Sequence, residues 1–239
     1  MRVLLTRPRH DAEALANLIA ALGHSTHIEP LIDIQFIAGP ELDLSHTDAL
    51  VLTSANGARA AAQRTSNRTI PIFAVGPATA TQAAQAGFQF VSQSGGHGVE
   101  GLTSHIRSIL DPKASALLHL TGSAVAGDLA GALKAQGFQV RSQKIYEATP
   151  AKLLPAALSS ALTAGHIDAA MFFSPRTAAI FSDLVSQSGL GPACASVTAL
   201  ALSPSVAKSL ATLTFRKVLV AHSASAQSML KLLETLLPA

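Results

Sequence analysis

The chain has 239 residues, 49% of them apolar and only 13% charged, with a formal charge of +3. That length holds one large domain or two small ones of roughly 100–150 residues each, and the composition argues against disorder. Nine Phe, one Tyr and no Trp, without a Lys/Arg block, argue against a nucleic-acid surface, whereas a mild positive field suits a small anion.

Taken in chain order, short apolar runs alternate with stretches of helical period. A strand is predicted over 3–5, then a helix over 11–22 with Ala12, Leu15, Ile19 and Leu22 on one face and Gly23 as its stop. Strand 49–52 leads to helix 55–63, and strand 70–75 to helix 78–86, ended by Gly87. The apolar run 88–91 precedes a helix over 102–110. Strand 116–120 leads to helix 128–136, and strand 169–173 to helix 176–186. Strand 197–202 leads to helix 205–212, and strand 218–221 to helix 226–236. Such alternation predicts parallel sheets covered by helices on both faces.

Cys194 is the only cysteine, which excludes an intramolecular disulfide and CxxC motifs; a small buried residue near a strand is expected. The nine His show no HxH or HExxH spacing, so no metal site is expected. The opening MRVLLTRPRHDAEAL has too short an apolar stretch for a signal peptide, and no run approaches the ~20 apolar residues of a membrane span. A cytoplasmic protein with no membrane partner is expected.

The chain also resembles itself. Asp48-Ala49-Leu50-Val51-Leu52-Thr53-Ser54 answers Asp168-Ala169-Ala170-Met171-Phe172-Phe173-Ser174, and Gly76-Pro77-Ala78 answers Ser203-Pro204-Ser205. Leu4-Leu5-Thr6 answers Leu118-His119-Leu120-Thr121. Matches in this order predict two similar α/β domains, one of them split. The split domain takes residues 1–34 and 152–239, and the continuous one takes 38–147, with linkers at about 35–37 and 148–151. Two crossings make a hinge with a cleft between the domains, mobile and monomeric.

Gly96-x-Gly98-x-x-Gly101 has the spacing of a dinucleotide-binding loop. A ribose-binding acid is required about 20 residues on, and the sequence there is Leu118-His119-Leu120-Thr121-Gly122-Ser123. The stretch is read as a loop before a helix, with Glu100 in the favoured first turn. What recurs instead is small polar residues after strands: Thr6-Arg7-Pro8, Thr53-Ser54-Ala55-Asn56-Gly57, Gly76-Pro77-Ala78-Thr79, Thr121-Gly122-Ser123, Ser174-Pro175-Arg176 and Ser203-Pro204-Ser205. Each is a candidate helix cap, and together they are candidate anion receptors, suited to a ligand with several carboxylates. No acid–base pair or Ser–His pair recurs at these turns.

At the same turns the chain resembles the uroporphyrinogen-III synthase family. The matching stretches are Val3-Leu4-Leu5-Thr6-Arg7-Pro8, Thr53-Ser54-Ala55-Asn56-Gly57, Ala74-Val75-Gly76-Pro77-Ala78-Thr79-Ala80 and Gly101-Leu102. Then come Lys144-Ile145-Tyr146-Glu147-Ala148-Thr149-Pro150, Phe172-Phe173-Ser174-Pro175-Arg176 and Ala201-Leu202-Ser203-Pro204-Ser205-Val206-Ala207. They fall in the family's order and span nearly the whole chain. The resemblance implies two α/β domains joined by a two-stranded linker. It implies closure of linear hydroxymethylbilane, a tetrapyrrole with eight carboxylates, with inversion of the last pyrrole and loss of water. It implies no cofactor, no metal, and a transient encounter with hydroxymethylbilane synthase.

Because the bilane cyclises unaided to the uninverted isomer I, such an enzyme acts mainly by positioning, with a proton for the departing hydroxyl. The resemblance implies Tyr146 as the catalytic donor. It implies Thr6, Arg7, Ser54, Asn56, Thr79, Thr121, Ser174 and Ser205 as substrate-binding positions. The chain departs from the family at Ser203-Pro204-Ser205, where many members have a Gly and a Thr. It also lacks the Arg that relatives often carry near Thr121. A non-catalytic binder of a polyanion, or an inactive paralogue, shares the same cleft and is the competing reading.

Overall fold

The computed structural model describes residues 1–95, 98–124 and 127–236. By its contacts the chain divides into two compact units, Met1–Asp33 with Thr149–Ala239, and Ile34–Ala148.

The first unit holds a five-stranded sheet in the order β11-β10-β9-β1-β2. Its strands are β1 (Arg2–Leu5), β2 (Ser25–Ile28), β9 (Ala169–Phe172), β10 (Thr198–Ala201) and β11 (Lys217–Val220), all parallel. The second unit holds a six-stranded sheet in the order β3-β8-β7-β4-β5-β6. Its strands are β3 (Ile32–Phe36), β4 (Ala49–Leu52), β5 (Ile72–Ala74), β6 (Val91–Gln93), β7 (Ala116–Gly122) and β8 (Gln139–Pro150). Strand β4 pairs in parallel with β5 and β7, β5 with β6, and β7 with β8. The chain leaves the first unit within β3 and returns to it near the end of β8.

The central strands are apolar throughout because both faces of each sheet are covered. Alternate side chains feed two cores. In the first unit Leu4, Ala170 and Phe172 pack with Phe181, Val185 and Leu158 from α7 (Pro175–Gln187) and α6 (Ala156–Thr163). On the opposite face Val3, Leu5 and Met171 meet Leu15 and Ile19 of α1 (Arg9–Ala21) and Met229 and Leu233 of α9 (Ala226–Glu234). In the second unit Leu50, Leu52, Leu118 and Leu120 face the small residues Ala58, Ala61 and Ala83 of α2 (Ala55–Arg64) and α3 (Pro77–Gln85). Ala49, Val51 and Leu117 face α4 (Gly98–Ile109) and α5 (Leu129–Ala135).

Some elements differ from the sequence expectation. Helix α6 stands where no helix is expected; it begins after Pro155, whose fixed φ favours helix entry. The short α8 (Pro204–Lys208) replaces a helix expected over 205–212, and its chain tightens into turns at Ser209 and Leu210. Helix α4 starts at Gly98 with Glu100 in its first turn. The strand before it, β6, is an edge strand, whereas a dinucleotide fingerprint belongs to a central first strand. Gly96 and His97 of that stretch lie outside the described residues. Cys194 is buried in the 3-10 helix Gly191–Ser196, and burial pushes its thiol up to about 11.

Arg64 is a buried cation held entirely by backbone. It donates from Nε to the Pro40 carbonyl at 2.8 Å and from Nη1 to the Ile37 carbonyl at 2.9 Å, with Gly39 leaving room beneath the guanidinium. It thereby pins the segment after β3. Arg64→Met strands two acceptors and is expected to cost about 2–3 kcal/mol, read as a lower urea midpoint at unchanged slope. An unchanged midpoint would show that water replaces these bonds without loss.

Candidate functional site

Both sheets reverse their strand order, one beside β4 and the other beside β1. In the second unit the chain runs from β4 outward to β5 and β6, then returns to place β7 on the other side of β4. In the first unit β2 lies on one side of β1 and β9 on the other. Ligand crevices in open parallel sheets form outside the carboxyl ends of the strands at such a reversal. The turns after β4 and β7, and after β1 and β9, therefore stand where a ligand would bind.

In the second unit Ser54 comes after β4 in extended conformation and caps α2, accepting the Gly57 N–H at 3.0 Å. Two residues on, Asn56 accepts a hydrogen bond from Arg59 Nη1 at 2.8 Å. Thr121, partly exposed, and Gly122 end β7, where the pairing with β8 shifts by one residue so that Gly122 stands opposite Tyr146. The Ser123 N–H donates to the Tyr146 carbonyl at 3.1 Å. Tyr146 is 7% exposed; its ring lies over Gly122, and its Oη is 2.8 Å from Ser54 Oγ. The structure thus brings Ser54 and Tyr146 together across the β4–β7 reversal. Thr79 sits on α3 and is only 4% exposed.

In the first unit Thr6 ends the β1 turn fully buried, and its Oγ1 has no hydrogen-bond partner among the described residues. Arg7 lies 4.3 Å above the Phe173 ring and contacts Asp11 at 3.2 Å, so β1 and β9 meet through a stacked cation. Ser174 caps α7, accepting the Thr177 N–H at 3.1 Å, and its Oγ lies 2.8 Å from Thr177 Oγ1. After β10 the cap of α8 is Ser203; Ser205 is exposed, with its Oγ 2.9 Å from that of Ser203.

Sequence reasoning missed a further turn of the same kind. Ser225 caps α9, accepting the Ser228 N–H at 3.1 Å, and lies 3.3 Å from Ser223 Oγ. The signal was present as an apolar strand followed by Ala221-His222-Ser223-Ala224-Ser225. It also read Gly122 only as part of the Thr121-Gly122-Ser123 turn, although a glycine inside a strand is the usual mark of close approach by another group. Ser54, Ser174, Ser203 and Ser225 thus cap helices after parallel strands, and each has a second hydroxyl within reach: Tyr146, Thr177, Ser205 and Ser223 in turn.

His119, two residues before Thr121 on β7, is buried with neither ring nitrogen partnered among the described residues. Burial lowers its pKa below the ordinary 6.5. As pH falls through about 6.5, the unfolded chain takes up a proton there that the folded chain does not, so stability declines until the lowered folded-state value is passed. His119→Leu is expected to narrow the gap between urea midpoints at about pH 7.5 and about pH 5.5. An unchanged gap would assign the acid sensitivity elsewhere.

Among the described residues no cluster of three or more His, Cys, Asp or Glu could hold a metal ion, and no helix is long and apolar enough to cross a membrane. The fold and its turns define a two-unit, doubly wound α/β protein with hydroxyl-lined helix N-termini at its switch points. The sequence profile of the family described as uroporphyrinogen-III synthase HemD matches residues 13–231, and the chain belongs to that family, whose members are lyases of heme biosynthesis acting on a tetrapyrrole. The uroporphyrinogen-III synthetase of Helicobacter pylori 26695 has a similar fold, with a TM-score of 0.66 at 17% identity over 99% of each chain. A mutant uroporphyrinogen III synthase of the extremely thermophilic bacterium Thermus thermophilus gives 0.59 at 18% identity over 98% of each. No curated protein matches the chain by sequence.

Proposed function

We propose that the chain closes hydroxymethylbilane to uroporphyrinogen III, with Tyr146 as the proton donor at the end of β7 and β8. The observation that carries this reading is the fixed phenol at the β4–β7 reversal: a single tyrosine, nearly buried, with its oxygen held at the carboxyl ends of the strands. The turns after β4 and β5 contain no carboxylate that would compete with an anionic substrate or serve as a stronger acid.

In the proposed step the bilane C–O bond breaks with its electron pair on oxygen. That oxygen takes the Tyr146 proton and leaves as water. The substituted α-carbon of the terminal pyrrole attacks the methylene cation so formed, giving a spiro intermediate. The bond from that carbon to its original bridging methylene then breaks, the freed methylene cation is captured by the same pyrrole's free α-carbon, and the proton lost from that carbon restores the phenol. The chain's main contribution is to hold the bilane so that the inverting attack outpaces the direct one.

Carboxylate recognition is assigned to exposed or half-exposed groups at the carboxyl ends of the strands: Asn56 and Thr121 at the switch point of one unit, Arg7 and Ser174 at that of the other, and Ser205 after β10. A hydroxyl that caps a helix with its lone pair keeps its proton to donate to an anion. Thr6 and Thr79 are both buried, so no direct contact with substrate is assigned to them. The bilane's unaided decay to isomer I favours prompt capture, so we further assign the protein to the cytoplasm as a monomer that meets hydroxymethylbilane synthase transiently.

The reading needs no cofactor. Protein treated with chelator, desalted, and supplied with bilane generated in place is expected to form product at an undiminished rate. A requirement for added metal or nucleotide would overturn it.

A further inference from the structure

The structure assigns Ser54 the role of a positioning residue that turns the Tyr146 proton toward substrate and stabilises the phenolate left behind. This rests on the reading of Tyr146 as the donor. It moves Ser54 from substrate contact to a place behind the phenol.

Ser54 Oγ has one proton and two lone pairs. One lone pair is committed, because it accepts the Gly57 N–H that caps α2. The neighbouring oxygen is that of Tyr146, at 2.8 Å, and either oxygen can be the donor. If the phenol donates, Ser54 accepts twice and the proton left over is the serine's; if Ser54 donates, the proton left over is the phenol's. Only the second arrangement leaves Tyr146 a proton to give to substrate, and it is the one the proposed step requires. The hydrogen bonds then run one way, from Gly57 N–H to Ser54 to Tyr146 and on to the leaving hydroxyl. Chains that point one way polarise each member.

The same hydrogen bonds stabilise the phenolate. When Tyr146 gives up its proton, the Ser54 bond becomes charge-assisted, which roughly doubles its strength. Behind it lies the N-terminus of a ten-residue helix, whose partial positive charge favours an anion in the first turn. The geometry of the phenol is fixed independently of Ser54. Its ring lies over Gly122 and its carbonyl is bonded by Ser123, so loss of the serine hydroxyl leaves the tyrosine in place.

The substitution that isolates the hydroxyl is Ser54→Gly, because glycine replaces a serine cap at little cost to the helix. We expect it to lower kcat for isomer III roughly tenfold with KM nearly unchanged, and Ser54→Thr to restore the rate. In a Tyr146→Phe background the same substitution should cause no additional loss, since Ser54 acts only through the phenol. With one tyrosine in the chain, the Raman Fermi doublet of that ring reports its hydrogen bonding without interference. The free protein should show an accepting phenol, and Ser54→Gly should remove that signature. Multiplicative losses in both backgrounds, or a donating phenol in the wild type, would overturn the assignment while leaving Tyr146 as the donor. A wild-type protein that forms no isomer III would overturn the proposed function and the assignment together.

Discussion

Tyr146→Phe is expected to slow isomer III formation by roughly ten- to a thousandfold, the range of a lost general acid. The ring keeps its seat over Gly122 and among Leu120, Ile145 and the α2 alanines, so the core is undisturbed. What disappears is one oxygen and its bond to Ser54. Ser54 retains the Gly57 N–H, so the helix cap survives. The stability cost should be near 1 kcal/mol, small beside the rate effect. The background route to isomer I does not involve the protein and continues. The variant is therefore identified by a falling ratio of isomer III to isomer I at constant bilane consumption. An unchanged ratio from a folded variant would remove Tyr146 from the chemistry.

Gly122→Val is expected to be at least as damaging, for a different reason. A Cβ at Gly122 would overlap Cε2 and Cζ of Tyr146. The collision cannot be relieved by the strand alone, because β7 and β8 are paired on both sides of the register shift at Thr121 and Gly122. The ring must leave its seat, which breaks the contact with Ser54 and opens the core beneath. Overpacking of this kind costs about 1–3 kcal/mol, and activity should fall at least as far as in Tyr146→Phe. A second substitution separates the two causes. In Tyr146→Ala the ring is gone, and adding Gly122→Val should then cost little further stability. Equal costs of Gly122→Val with and without the ring would mean that it acts on the backbone and not on Tyr146.

The sheets were legible because their central strands are unbroken apolar runs. Residues 49–52, 169–172 and 198–201 are buried on both faces, and the pattern says so directly. Strands β2, β6 and β8 were not legible as strands. They are edge or linking segments with polar residues at exposed positions, and their extended form is imposed by the neighbours they pair with. The capping turns were visible as small polar residues between a strand and a helical period. Which serine caps was not always visible: after β10 it is Ser203, with Ser205 bonded to it. Tyr146 stood out because it is the only tyrosine within a resembling motif. Its partners could not be read, because Ser54 is 92 residues away and Gly122 meets the ring only through a one-residue shift in pairing.

The most direct test is coupled turnover. Hydroxymethylbilane is generated in place from porphobilinogen by its deaminase, the protein is added, and the products are oxidised and separated by chromatography. Mostly uroporphyrin III is the predicted result, from a protein whose only tyrosine is Tyr146. Uroporphyrin I alone, from folded protein, would contradict the catalytic reading and leave the two-unit α/β fold as a non-catalytic binder of a polyanion or an inactive paralogue.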